Sequence, residues 1–131
     1  MQKHVMSAGF GAIVFDVLEQ AGERHLKETS PCLHQFFLFQ IGGAGTVRRY
    51  DGSVAYWDRV QATLDYFFTA EQRAAICREL LRRADFDRRP EFRGFWARAV
   101  AERRVAELIA SAAVAASMVS RPLPIDAQRP D

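Results

Sequence analysis

Apolar positions recur along this chain at the spacing of a helix face, in one stretch after another. Over residues 7–26, Phe10, Ile13, Val14, Val17, Leu18 and Ala21 fall at i, i+3, i+4 and i+7, the stripe that a 3.6-residue period lays along one side. Ser7 is placed to cap that helix, and Gly9 and Gly11 weaken its first turn by up to roughly 1 kcal/mol each. Ser30-Pro31 offers a cap followed by proline at the first helical position. The nearly continuous apolar run Leu33–Ile41 follows, too short for periodicity to separate a buried helix from a buried strand. The start signal and the stop at Gly42 favour helix over 31–41, with a short hairpin at 36–50 as the alternative.

Ser53–Phe67 places Trp57, Val60, Leu64 and Phe67 on one side and Asp58, Arg59 and Asp65 elsewhere, with Asp51 or Ser53 as cap. Thr69-Ala70-Glu71-Gln72 has the form of a capping box, so a new helix starts at Thr69. Its expected buried face is Ile76, Cys77, Leu80, Leu81 and Ala84, with Glu79 and Arg83 as an i,i+4 pair. After the charged connector Asp85–Arg89, Pro90 is expected to open a last long helix reaching about Val119. Its seam is Ala97, Ala101, Val105, Leu108, Ala112, Ala115 and Val119. The pattern therefore predicts an all-α fold, an irregular bundle of about five helices in one domain over 1–120, with 121–131 as a polar proline-bearing tail.

Composition narrows the class. At 131 residues, 49% hydrophobic and 26% charged, the chain has ordinary globular proportions. The uncharged segment Leu108–Ser120 is too short and too rich in Ala and Ser to cross a bilayer, so no membrane association is expected. Cys32 and Cys77 match no disulfide framework, and no cleavable leader follows the apolar residues near the start. A reducing cytoplasm is the expected compartment.

Candidate chemistry is sparse. His25, Cys32 and His34 supply metal-type donors but lack a fourth ligand at zinc spacing, so an inert buried Cys32 is the expected state. Gly42-Gly43-Ala44-Gly45-Thr46 departs from both phosphate-loop and dinucleotide fingerprints, although Arg48 and Arg49 lie close by. Asp16, Asp58 and Asp65 sit beside arginines as surface carboxylates usually do, and no nucleophile or acid–base motif accompanies them. No catalytic residue, cofactor or metal is expected from these patterns.

Charge distribution adds the one distinctive feature. Between Ala70 and Val105 there are ten arginines against six acids, a local excess of +4 in a chain of net +2, interleaved with Phe86, Phe92, Phe95 and Trp96. Arginine and tryptophan often dominate binding energy. Arg82, Arg83, Arg88, Arg89, Arg93 and Trp96, gathered at the turn between the last two helices, are therefore the expected partner-binding residues. The interspersed acids favour an acidic protein over nucleic acid as partner. The expectation is a cytosolic, non-enzymatic protein acting stoichiometrically on another protein. A nucleic-acid-binding regulator comes second, and a metal- or ligand-sensing domain third. The alanine-rich end of the last helix suggests a homodimer as well.

Overall fold

A computed structural model describes residues 9–43, 47–86 and 89–120, the side chains of 95, 96 and 118–120 excepted. Among the described residues the elements are five α-helices and a 3-10 turn: α1 (Phe10–His25), α2 (Pro31–Gly42), α3 (Val54–Phe67), α4 (Ala70–Ala84), the turn Pro90–Phe92, and α5 (Phe95–Ser120). The fold is all-α, an irregular bundle, and the segment 36–42 is helix rather than strand. α5 packs most extensively on α4, α4 on α1, and α1 on α2, while α3 touches α2 and α4 more lightly.

Local signals account for the starts of α3 and α4, whereas Ser30 before α2 makes no side-chain cap bond. Ser53 caps α3 by accepting from the Tyr56 amide at 3.1 Å. Thr69 and Gln72 exchange reciprocal bonds of 3.2 and 3.0 Å at the start of α4, so both orphan amides are satisfied. α4 ends on Asp85 in the left-handed conformation (φ 51°), which Asp tolerates better than most residues.

The first helix departs from its expected start. Its N-cap is Gly9, while Ser7 lies outside the described residues. The Phe10 amide donates instead to Glu91 Oε2 at 2.8 Å, a partner 81 positions away. The last helix is also broken at its beginning. Pro90 opens only the 3-10 turn, closed by Phe92 N–H to Arg89 O (3.0 Å) and Arg93 N–H to Pro90 O (3.2 Å), and α5 begins at Phe95. The break turns Phe92 into the core, 5.1 Å from the Phe10 ring and 4.9 Å from Phe86, while Glu91 reaches the start of α1.

The core is aromatic at one end. Phe10, Tyr50, Tyr56, Trp57, Phe86 and Phe92 form a chain of edge-on and tilted ring contacts with centroids 4.9–5.9 Å apart. The connector 47–52 is drawn onto this cluster: the Tyr56 hydroxyl donates to Val47 O at 2.7 Å, and the Arg48 guanidinium lies 3.8 Å above the Phe15 ring. At the other end Phe37, Phe67 and Phe68 meet edge-on. Along α5, Ala101, Val105, Leu108 and Ala112 are buried as the seam predicts, whereas Ala97 is exposed and Ala115 half-buried, and the Val119 side chain lies outside the described residues. Leu81, expected inside, is 44% exposed, and Ala74 takes a buried place in α4 instead.

Candidate functional site

The corner between α4 and α5 holds the predicted partner-binding arginines, and several have work within the chain. Arg82, in the last turn of α4, is exposed and makes a fork onto Glu79, with Nε and Nη2 2.9 and 2.6 Å from the two carboxylate oxygens. That guanidinium holds Glu79 below the usual carboxylate range. Arg83, expected to pair with Glu79, instead reaches α1, where its Nη2 is 3.5 Å from Asp16 Oδ2. Arg89 donates from Nε to the Ala84 carbonyl at 2.6 Å, closing the end of α4. Arg93 is exposed after the 3-10 turn. Arg88 and the Trp96 side chain lie outside what the structure describes.

The rest of the arginine band behaves similarly. Arg73 donates to the Phe68 carbonyl at 2.8 Å and lies 3.4 Å from Asp65. Arg104 joins α5 to Asp58 of α3 at 3.1 Å, and Arg98 pairs with Glu102 along its own helix at 3.2 Å. Among the described residues, Arg73, Arg82, Arg83, Arg89, Arg98 and Arg104 thus engage an acceptor within the chain. Three of them, Arg73, Arg83 and Arg104, join one helix to another, while Arg82, Arg89 and Arg98 bond locally.

A different surface stands out in three dimensions. α2 carries no Asp, Glu, Lys or Arg, and large apolar residues fall on both its buried and its exposed sides. One side enters the core through His34, Phe37 and Ile41, and the opposite side leaves Phe36 and Phe39 in water, 43% and 73% exposed. Tyr66 of α3, 67% exposed, stands beside Phe36, with the ring centroids 6.1 Å apart. Between the two helices runs an open groove of about 450 Å³. Phe36 and Gln40 of α2 form one wall. Arg59, Ala62, Thr63, Tyr66 and Phe67 of α3 form the floor and the other wall. The signal was present in the sequence: a run too uniformly apolar to be buried by one neighbour must expose part of itself, or be covered by something else.

Charge around this groove is simple. Asp58 and Asp65 of α3 are drawn to Arg104 and Arg73 on other helices. Arg59 is exposed, and its guanidinium is 5.9 Å from the Tyr56 ring centroid. It makes no ion pair among the described residues.

The remaining candidates do not converge. His25 packs against Phe68 with ring centroids 6.0 Å apart, and partial burial, with Arg24 beside it, lowers its pKa. His34 is buried, while Cys32, expected to be buried, is exposed at the first turn of α2. Among the described residues no three His, Cys, Asp or Glu side chains stand close enough to share a metal ion. Residues 44–46 of the glycine-rich segment lie outside the described residues, and Arg48 beside them is engaged with Phe15. A second hollow lies between Tyr50, Glu91, Ala97 and Val100, but its carboxylates are used as caps, Glu91 on α1 and Asp51 on Ser53. No helix among the described residues is long and apolar enough to cross a membrane.

The bundle is thus defined by two surface features, an aromatic groove on one side and an arginine-lined corner on another. No family model, no characterised protein and no solved structure matches this chain.

Proposed function

We propose that this chain is a small cytosolic, non-enzymatic binding protein that acts by stoichiometric association with another protein, in the manner of an immunity protein, antitoxin, adaptor or anti-activator. The observation that carries this reading is the exposed aromatic face of α2 and α3. Burying one large apolar side chain stabilises by about 1.5–3 kcal/mol. Phe36, Phe39 and Tyr66 forgo much of that gain in the isolated chain. A partner that covers them recovers it, and aromatic residues are enriched at the centres of protein interfaces. Arg59 at the groove and the net charge of +2 favour an acidic partner. The exposed members of the arginine corner, Arg82 and Arg93, extend the same preference to a second contact region.

The test is affinity capture at native expression, read by quantitative mass spectrometry. The wild type is compared with a Phe39→Asp, Tyr66→Asp pair and an Arg82→Glu, Arg93→Glu pair. One protein should co-purify with the wild type near equal stoichiometry and fall at least tenfold with the aromatic pair, while thermal melts stay alike. The same proteins in the same amounts from wild type and aromatic pair would dismiss the reading.

A further inference from the structure

Resting on the protein-binding reading above, the geometry points to a particular occupant of the α2–α3 groove: a short amphipathic helix of the partner that carries a carboxylate facing Arg59. The shape comes first. The α3 side of the groove is built from positions 59, 62, 63 and 66, successive turns of one helix, so it runs about 10 Å at the usual rise per residue. That length matches two turns of an incoming helix with apolar residues at i, i+3 or i+4, and i+7. Ala62 and Thr63 keep the α3 surface low beside the Phe36–Tyr66 ring contact, where a bulky side chain of an incoming ridge can seat. An extended peptide would find no template here, since α2 and α3 satisfy their backbone groups internally and present no strand edge.

Charge selects among helices. Among the described lining residues Arg59 is the one ionised side chain, and the carboxylates near it are engaged, Asp58 and Asp65 with Arg104 and Arg73 and Asp51 with Ser53. A basic helix would be repelled, whereas an Asp or Glu on the partner would pair with Arg59. The same fact disfavours a second copy of this chain. An isologous contact would bring two Arg59 side chains onto one apolar face, with no unpaired carboxylate on α3 to receive either. A single cation is also a poor match for a polyanionic nucleic-acid backbone.

The experiment selects random sixteen-residue peptides displayed on phage against the immobilised full-length protein, with Arg59→Glu and Tyr66→Asp variants in parallel. The wild type should enrich peptides with apolar residues at helical spacing and at least one Asp or Glu. A synthetic copy of the leading peptide should gain helicity on binding and lose at least tenfold in affinity for Arg59→Glu. Enrichment without acidic bias, or affinity lost with Tyr66→Asp yet unmoved by Arg59→Glu, would overturn the acidic helix and leave the protein-binding reading standing. An identical peptide set on Tyr66→Asp would remove both. A dimer in sedimentation that Tyr66→Asp dissociates would assign the groove to a second copy. A synthetic peptide of residues 121–131 that outbinds the selected peptide would assign it to the chain itself. Binding of a twenty-nucleotide oligothymidylate that Tyr66→Asp abolishes would assign it to nucleic acid. Each of these three results overturns the proposal.

Discussion

Gly11 and Gly22 set how closely the neighbours of α1 can approach. A Cβ at Gly22 would stand 2.5 Å from Cε2 of Phe37, whose ring is locked against Phe67 and Phe68. A Cβ at Gly11 would fall on the backbone carbonyl of Arg48, which cannot swing aside as a side chain can. Alanine gains about 0.5–1 kcal/mol over glycine inside a helix. Overpacking a filled core costs about 1–3 kcal/mol. Gly22→Ala should therefore destabilise modestly and Gly11→Ala more, a ranking that urea midpoints will show. The two cysteines differ as sharply. Cys77 is 1% exposed, and burial pushes its thiol up to about 11 from 9.0, while Cys32 lies open. One thiol equivalent should react with Ellman's reagent in the folded protein, and the second only in denaturant. Because the unfolded thiol ionises first, the stability contributed by Cys77 is complete below pH 9 and drains away as pH rises towards 11. Cys77→Ala should show a shallower decline across that interval.

At the scale of helices, what was legible from sequence was local. The capping box at Thr69 depends on four consecutive residues and formed as read, as did the buried stripe of α3 and, apart from a half-buried Ile13 and a buried Phe15, that of α1. Thr69→Ala should cost about 1 kcal/mol in urea melts, since it strands the Gln72 amide. The departures arise where a distant element intervenes. Pro90 reads as a helix start, but Phe92 and Glu91 are pulled away by α1 into a separate turn. Arg83 lies in reach of Glu79 along its helix, yet Asp16 on α1 takes it and Arg82 fills the gap. The aromatic groove was the least legible part. Composition marks α2 as apolar throughout, but which rings stay in water depends on how α1 and α3 pack against it. The arginine band drew notice because charge is visible in a sequence, whereas the carboxylates and carbonyls that engage it come from other elements.

For the whole molecule, the inter-helix arginines act as ties of modest strength. Asp16, Asp58 and Asp65 are each about half exposed or more, so each pair contributes at most about 1 kcal/mol. The bond from the Phe10 amide to Glu91 is of another kind, because it joins residues 81 apart in the chain and is partly buried. Its two ends meet only after the rest of the polypeptide has brought α1 and the final connector together. That order gives the bond a kinetic signature: it should be absent at the folding barrier and present only beyond it. Glu91→Gln keeps an acceptor but loses the charge assistance, a loss of about 1 kcal/mol. In a chevron plot the refolding arm should stay in place while the unfolding arm rises about fivefold. A slowed refolding arm would instead place this contact in the nucleus. With the refolding arm unmoved, one carboxylate lengthens the time each native molecule survives before it opens, with no influence on how quickly it forms.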